Sequence, residues 1–315
     1  MGEEEPREIT VKEGSEIVRS LLSNADLTTE VIMDFERPLK LGDKGADVKH
    51  MKDALVRLGY LFRSTHDTFG NDTENAVKRF QDDNFYGVID KQTWDAIEAA
   101  DAKTGEDVEI PPNISAEKAV YISDAVRSVS AVRKKIVIEA LRNAYDPAKP
   151  SKYPPSLYIR GGNLYNSDFK VNTITAKRIE GGAKRQPQYY TEKAKQIMLE
   201  AVAANPATTG ADCSGGIVGL MRYARVVSGG FDATADNLCS KQSTQISKNA
   251  LVAGDWVGRS GHIGLYVGGG YVVEWAGHKL GCQLTDLDNR KCYDFTTGKM
   301  TSLGGWTKFR RPKYY

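Results

Sequence analysis

A cysteine stands at the predicted start of a helix in the segment Gly210-Ala-Asp-Cys-Ser-Gly-Gly216, which apolar residues at helical spacing follow. The thiol of Cys213 would lie in the first turn, where free backbone N–H groups and the positive end of the helix dipole favour a thiolate and stabilise an oxyanion. We expect Gly210 and Gly215 to let a substrate backbone approach closely. The same pattern fits a buried structural cysteine behind Asp212 as an ordinary N-cap, so both interpretations stand.

Nucleophilic chemistry also needs a base, and His262 is the best placed of the four histidines in the chain. It opens a predicted strand, and the alternation of that strand directs His262 away from the apolar face. The alternative interpretation is a surface histidine at a strand end.

A third group would have to fix the tautomer of this base and stabilise its charged form. Glu274 interrupts an apolar run in the next predicted strand. A carboxylate in such a run is either edge-exposed or functional, since a buried unpaired charge is costly. Across a tight hairpin Glu274 would lie near His262, and His278, four residues further on, is the alternative third residue.

The elements that must position these residues are predicted to form an α+β fold. Residues 37–100 show three short helices, the first ending at Gly59 and the second capped by Asp72 or Thr73. Residues 1–36 form an N-terminal extension with an amphipathic helix predicted at 13–24. A polar segment with a Pro-Pro pair, 101–116, is predicted to be a linker.

The second predicted domain, 117–315, carries the candidate site. It has helical patterns that end in the helix headed by Cys213, followed by several strands. The predicted helices cover 116–145, with a break near 128–130, and 191–204; the predicted strands cover 255–258, 262–267 and 271–275. A Gly-Gly-Gly turn at 268–270 joins the last two strands. We therefore expect the cysteine helix to pack on an antiparallel sheet.

Composition excludes several classes of protein. The chain has 315 residues, 40% of them hydrophobic, and a formal net charge of +2, which argues against disorder and against a nucleic-acid partner. No apolar run reaches the ~18–20 residues of a membrane span, and the start lacks the features of a classical signal peptide. The four cysteines form no CxxC pair or metal pattern, so we expect no metal or cofactor, and free thiols at Cys282 and Cys292 unless the fold pairs them.

Four ordered segments resemble the NlpC-type family of papain-like cell-wall cysteine peptidases. They are Tyr158-Ile-Arg-Gly-Gly162, the Asp-Cys-Ser-Gly at the helix start, Gly254-Asp-Trp256 and Ser260-Gly-His-Ile-Gly-Leu-Tyr-Val-Gly-Gly-Gly270. The first resembles the family's Tyr-x-Trp-Gly-Gly segment, with Arg160 in the Trp position. The resemblance covers about 117–315 and implies a papain-like domain.

The resemblance also implies roles for individual residues. Cys213 would be the nucleophile and His262 the base, with Glu274 twelve positions on as the third residue. The family more often has His there, whereas the related CHAP family uses Glu, so His278 stays the alternative. Tyr158, Asp212 and Ser214 would line the cleft and hold the peptide stem.

The chain departs from compact members of that family by an insertion at about 163–210. Forty-nine residues lie between Gly162 and Asp212. The insertion is expected either to wall or cover the cleft, or to be a peripheral decoration.

The N-terminal region resembles the three-helix peptidoglycan-binding domain. The matching segments are Leu41-Gly-x-x-Gly45-x-x-Val48, Leu58-Gly-Tyr60, Phe69-Gly-x-x-Thr73-x-x-Ala-Val77-x-x-Phe-Gln81 and Thr93-Trp94. The family's Asp-Gly pair before the last helix is replaced by Gly87-Val-Ile-Asp90.

Together these resemblances imply a peptidoglycan hydrolase that cleaves the peptide stem, at the γ-D-glutamyl–diamino acid bond, through a thiolate and an acyl-enzyme. The alternatives are a CHAP-like N-acetylmuramoyl-L-alanine amidase and a catalytically silent cell-wall-binding protein. The expected partner is bacterial peptidoglycan, with no nucleic acid and no membrane, and the expected state is a monomer. The absent signal peptide predicts phage endolysin-like release from a host cytoplasm or a virion-associated enzyme, or else a secreted protein with a trimmed leader.

Overall fold

The computed structural model of the protein describes residues 33–61, 66–81, 86–102 and 108–315. Residues Arg37–Tyr315 form one compact unit. The helix predicted at 13–24 lies outside the described residues.

Three helices form the N-terminal part of this unit: α1 (Ala46–Arg57), α2 (Asn71–Phe80) and α3 (Lys91–Ala102). Their apolar faces enclose a small core whose buried members include Leu39, Leu55, Phe69, Val77 and Ile97. Gly59 follows α1 with a φ of 81°, which agrees with the predicted helix end. The predicted cap of α2 is wrong: Gly70 is the N-cap and no side chain caps the helix, because Asp72 and Thr73 already lie within it.

Six further helices precede or flank the sheet. They are α4 (Ala116–Arg127), α5 (Ala131–Asn143), α6 (Ala176–Arg185), α7 (Glu192–Ala204), α8 (Cys213–Tyr223) and α9 (Ala235–Ser240), with a 3₁₀ turn at Lys248–Ala250. The break between α4 and α5 falls where it was predicted. It is fixed by Ser130, whose hydroxyl caps α5 by accepting from the backbone N–H of Arg133 at 3.3 Å.

The strands are β1 (Ser156–Tyr158), β2 (Thr209–Ala211), β3 (Ser243–Gln245), β4 (Trp256–Arg259), β5 (His262–Gly268), β6 (Tyr271–Gly277), β7 (Gly281–Asp286), β8 (Lys291–Asp294), β9 (Lys299–Ser302) and β10 (Lys308–Pro312). The main sheet has six antiparallel strands in the order β3-β10-β4-β5-β6-β7. β1 and β2 form a short parallel pair, and β8 and β9 an antiparallel one. The predicted glycine turn joins β5 to β6, and all three of its glycines have positive φ.

The main core lies between the sheet and helices α4, α5 and α8. Trp256 and Trp275 are its largest fully buried side chains. The fold is therefore α+β, as predicted, with a helical N-terminal part and a C-terminal antiparallel sheet on which the helix of Cys213 packs. None of the described helices has both the length and the apolarity needed to cross a membrane.

Residues 108–115, the second half of the predicted linker, pack against the C-terminal core rather than standing free of it. Val108 and Ile110 contact that core, and the Asn113 side chain donates hydrogen bonds to the carbonyls of Leu141 and Ala144, both at 2.8 Å. Residues 103–107 lie outside the described part of the chain, and the domain boundaries stay a prediction.

Candidate active site

The start of α8 is held by Asp212. One carboxylate oxygen accepts from the Gly215 backbone N–H at 2.7 Å and from the Ser214 hydroxyl at 3.0 Å. The other accepts from the Gly161 N–H at 2.8 Å. Asp212 is thus an N-cap that also joins the helix to the segment after β1. The hydrogen bonds described for Asp212 and Ser214 are all to other groups of the protein.

Gly210 and Gly215 do not leave room for a substrate, contrary to the prediction. A Cβ on Gly215 would lie 1.9 Å from the carbonyl oxygen of Gly162. A Cβ on Gly210 would lie 2.8 Å from the side chains of Ile159 and Ile174. Both glycines instead allow segments of the chain itself to pack closely, which their spacing in the sequence could not distinguish.

Cys213 is the first residue of α8, with its side chain nearly buried. Its sulfur lies 3.8 Å from the carbonyl oxygen of Gly261. It is also close enough to the Tyr158 hydroxyl and the His262 ring to raise the pKa of both groups. Burial, followed by the neighbouring Cys213, raises the pKa of Tyr158. The Tyr158 hydroxyl therefore stays protonated at neutral pH and can donate to the thiol.

Two backbone N–H groups beside the thiol are open. The N–H of Gly215 is taken by the Asp212 side chain and that of Gly216 by the Asp212 carbonyl. Within the described residues no hydrogen bond engages the N–H groups of Cys213 and Ser214. They are the donors that an oxyanion at this helix start would meet.

His262 begins β5 and contacts two of the predicted partners at once. Its Nε2 lies 2.7 Å from an oxygen of Glu274, which leaves Nδ1 for Cys213. The imidazole stacks on the Trp306 indole, with ring centroids 5.6 Å apart. Burial alone would lower the pKa of His262, but hydrogen bonds to Cys213 and Glu274 and their charges outweigh it and raise the pKa to about 9.

Glu274 is completely buried in β6, and its charge is compensated by Arg290, which the sequence reasoning missed. Arg290 forms an ion pair with Glu274: its Nε donates to one carboxylate oxygen at 2.8 Å and an Nη donates to the other. The Thr285 hydroxyl adds a hydrogen bond at 2.9 Å. Burial would raise the pKa of Glu274, but Arg290 and His262 together lower it to about 2, so the carboxylate is ionised.

Arg290 had no signal of its own in the sequence. It lies in the loop between β7 and β8 and stacks over Trp306, 4.4 Å from guanidinium to ring. The hint that the sequence gave was the carboxylate in the apolar run of β6. A buried carboxylate needs a compensating cation, but the pattern does not identify the residue that supplies it.

His278, the alternative third residue, lies elsewhere. Its ring contacts the rings of Tyr158, Tyr189 and Tyr190, at centroid distances of 4.9, 5.8 and 4.3 Å. Its Nε2 is buried without a hydrogen-bond partner. Burial, and to a lesser extent the charge of Arg160, lower the pKa of His278 to about 4, so the ring is neutral at neutral pH. The structure brings Glu274, and not His278, into hydrogen-bond contact with His262.

The sequence left open whether the insertion walls the cleft or is a peripheral decoration. In the structure it forms one side of the aromatic group around His278. Tyr189 and Tyr190 come from the segment between α6 and α7 and contact His278. Beneath them α6 and α7 build a separate small core, whose buried members include Leu157, Ile159, Ile179, Tyr190 and Met198. Because Leu157 and Ile159 flank Tyr158, the insertion is packed onto the segment that borders the thiol.

The other three cysteines are free and buried. Burial raises the pKa of Cys239, Cys282 and Cys292, so these thiols stay protonated and unreactive. In the described residues no group of three or more His, Cys, Asp or Glu side chains has the arrangement of a metal site.

Comparison with known proteins identifies one part of the chain. Residues 44–97 match the family model of a peptidoglycan binding domain. The match covers α1, α2 and the first part of α3, and it supports peptidoglycan as a partner and the cell wall as the place of action. Neither curated proteins nor solved structures give a match.

The peptidoglycan-binding domain keeps its last helix in place without the family's Asp-Gly pair. Asp90 caps α3 by accepting from the Thr93 N–H at 2.8 Å. The Gln81 side chain donates to the Val88 carbonyl at 2.7 Å and to the Thr93 hydroxyl at 3.1 Å. A cleft of about 170 Å³ opens beside this network; its lining residues are Phe80, Gln81, Tyr86, Gln92, Thr93 and Ala96.

Proposed function

We propose that this chain is a peptidoglycan hydrolase that cleaves the peptide stem with Cys213 as nucleophile. The observation that carries the proposal is the contact of a helix-terminal thiol with His262, which is itself bound to the buried, ionised Glu274. The peptidoglycan-binding domain at residues 44–97 supplies the substrate class.

The arrangement supports acyl transfer in two steps. His262 takes the thiol proton through Nδ1, and the thiolate attacks the carbonyl carbon, forming a C–S bond while the oxyanion accepts from the open N–H groups of Cys213 and Ser214. The imidazolium then gives its proton to the leaving amine as the C–N bond breaks. Water, deprotonated by His262, hydrolyses the thioester, releases a carboxylate and restores the thiol.

Glu274 acts throughout by holding the imidazole at Nε2 and by balancing its positive charge. The raised pKa of His262 makes the imidazole a stronger acceptor for the thiol proton and stabilises the imidazolium that forms.

The bond we assign is the γ-D-glutamyl–diamino acid bond, from the resemblance to NlpC-type peptidases. The second candidate is the N-acetylmuramoyl-L-alanine amide bond, because the contact of Glu274 with His262 matches the third residue of the CHAP family. Mass spectrometry of digested sacculi separates them: a new D-glutamate terminus supports the first, and a bare lactyl group supports the second.

The test of the nucleophile compares two cysteine variants of the full chain. Cys213→Ala should abolish the release of soluble muropeptides from purified sacculi while sacculus binding persists. Cys239→Ala removes another buried thiol and should leave the release rate near that of the unmodified protein. Release by Cys213→Ala at the unmodified rate would contradict the mechanism.

The hypothesis of a catalytically silent wall-binding protein predicts the opposite results. Such a protein would bind sacculi without releasing soluble products, and low iodoacetamide near neutral pH would leave Cys213 unmodified. The hydrolase predicts rapid alkylation of Cys213 in preference to the three thiols whose pKa burial raises.

A further inference from the structure

The insertion places positive charge beside the candidate cleft. Helix α6 carries four basic side chains and a single acidic one, Glu180. One Nη of Arg178 donates to the carbonyls of Arg160 and Gly161, at 3.3 and 3.4 Å. We call Arg160 and Arg178, with the Tyr189 ring beneath Arg160, the cationic rim.

Three aromatic rings in contact with one another, those of Tyr158, His278 and Tyr189, connect this rim to the thiol. The Tyr158 hydroxyl contacts Cys213, and the Tyr158 ring contacts His278. Tyr189 stacks nearly parallel on His278, at an interplanar angle of 12°, and the Arg160 guanidinium lies 4.6 Å from the Tyr189 ring. Arg160 also follows Tyr158 by two residues, about 7 Å of extended chain.

Within the described part of the chain, no ion pair balances the charge of the rim. In the region between β1 and α8, all of it described, no carboxylate forms an ion pair with Arg160 or Arg178. Asp212, the carboxylate at the helix start, accepts instead from two backbone N–H groups and a hydroxyl. Arg160 is exposed, and the ring of Tyr189 fixes the plane of its guanidinium by a cation–π contact.

A guanidinium held in this way is suited to a carboxylate, which it binds through two parallel N–H groups. The substrate class of the proposed function supplies one at a fixed place. A glutamate linked through its γ-carboxyl keeps its α-carboxylate free, a few covalent bonds from the carbonyl that the thiolate attacks.

We propose that Arg160 and Arg178 bind the free α-carboxylate of the γ-linked D-glutamate and so distinguish it from an α-carboxamide. This inference rests on the proposed function for the substrate class. The rim is built jointly by the insertion and by the arginine that stands in the Trp position of the Tyr-x-Trp-Gly-Gly segment.

The test measures binding, so that it does not depend on turnover. The probe is the tetrapeptide L-alanyl-γ-D-glutamyl-diamino acid-D-alanine, made with the glutamate α-group as carboxylate or as carboxamide, and with lysine or diaminopimelate at the third position. Isothermal titration uses the full chain carrying Cys213→Ala. The carboxylate peptide should bind about tenfold more tightly than the carboxamide, by an advantage that shrinks with added salt.

Adding Arg160→Gln or Arg178→Gln should remove most of this preference. Lys193→Gln, which removes an exposed charge from α7, should preserve it. Equal affinity for the two peptides would overturn the inference. If the arginine variants weakened the binding of both peptides equally, the inference would also fail, because the rim would then bind another carboxylate of the stem. A loss of preference in Lys193→Gln as large as that in the arginine variants would overturn it as well.

The outcomes also separate this inference from the proposed function. Sacculus cleavage that requires Cys213, with no preference between the two peptides, would retain the hydrolase and reject the rim. A preference that requires the arginines, in a chain that releases nothing from sacculi, would retain the rim and reject the hydrolase.

Discussion

Glu274 links three side chains that come from separate elements. This fully buried carboxylate accepts hydrogen bonds from His262 on β5, Thr285 on β7 and Arg290 in the following loop. A buried charge is tolerated when its lone pairs are satisfied in this way, and it becomes strongly destabilising when one partner is removed. Trp306 covers both His262 and Arg290, which keeps water from competing for these bonds.

Arg290→Met should therefore destabilise the protein by about 3–5 kcal/mol, because it leaves the Glu274 charge buried and partly unpaired. Arg127→Met is the matched control, since Arg127 pairs with Asp124 at 3.7 Å on the surface and such pairs contribute about 0–1 kcal/mol. Chemical denaturation measures both. Equal unfolding free energies for the two variants would show that the ion pair does not hold this network.

His262 and His278 should make the free energy of unfolding depend on pH in opposite ways. The contribution of His262 is lost as the pH rises, and that of His278 is lost as the pH falls. The pKa of His262 is raised to about 9 from an ordinary value near 6.5, so its contribution is complete below pH ~6.5 and is lost as pH rises through 9. The pKa of His278 is lowered to about 4, so its contribution is present above pH ~6.5 and is lost as pH falls towards 4.

Unfolding free energies of two variants across this range test the assignment. His262→Ala should flatten the loss of stability between pH 6.5 and 9, and His278→Phe should flatten the loss between pH 6.5 and 4. If the alkaline loss persists unchanged in His262→Ala, the raised pKa belongs to another group.

At the scale of elements, the site depends on how closely α8 lies against the segment after β1. The Asp212 N–H donates to the Gly162 carbonyl, and the Leu164 N–H donates to the Gly215 carbonyl, at 3.0 and 3.1 Å. These bonds require Gly215 to touch the Gly162 backbone without a side chain between them. The same contact places Tyr158, at the end of β1, beside the thiol.

Gly215→Ala should consequently destabilise the protein by about 1–3 kcal/mol or more, since its Cβ would overlap the backbone oxygen of Gly162. Gly230→Ala is the control, because a Cβ there meets nothing within 4 Å, and it should change stability by less than ~0.5 kcal/mol. Thermal denaturation compares them. A Gly215→Ala protein as stable as Gly230→Ala would contradict the close packing.

At the scale of the whole molecule, the peptidoglycan-binding domain is in direct contact with the C-terminal part. The Val132 N–H donates to the Leu58 carbonyl at 3.2 Å, and Tyr60 packs against the C-terminal core. A Cβ on Gly59 would lie 2.6 Å from the Ser130 hydroxyl. A cavity of about 420 Å³, bordered by Val56, Val129 and Tyr315 among others, adjoins this contact.

Because these parts belong to one compact unit, residues 37–315 should unfold in a single transition. Calorimetry of the full chain should give a measured enthalpy equal to the van't Hoff enthalpy, with coincident loss of near- and far-ultraviolet circular dichroism. Two separated transitions would mean that the contact contributes too little to couple the parts.

The sequence by itself determined the features that depend on neighbours along the chain. Helical spacing after Cys213, the Asp212 cap, the strand opened by His262 and the glycine turn before β6 are all local patterns. Their order also gave the hairpin that places Glu274 near His262, because a tight turn fixes which residues of two strands are adjacent. The three helices that match the peptidoglycan binding domain were predicted for the same reason.

Tertiary structure alone decided which distant residues contact the residues of these local patterns. Arg290 is separated from Glu274 by sixteen positions and a change of strand, and no periodicity links them. The spacing of Gly210 and Gly215 left unstated that the chain itself fills the room beside them. His278, four residues after Glu274, was the alternative third residue, but it lies beyond the end of β6 and its ring contacts the tyrosines. Such choices follow from packing between distant segments, which a linear pattern does not record.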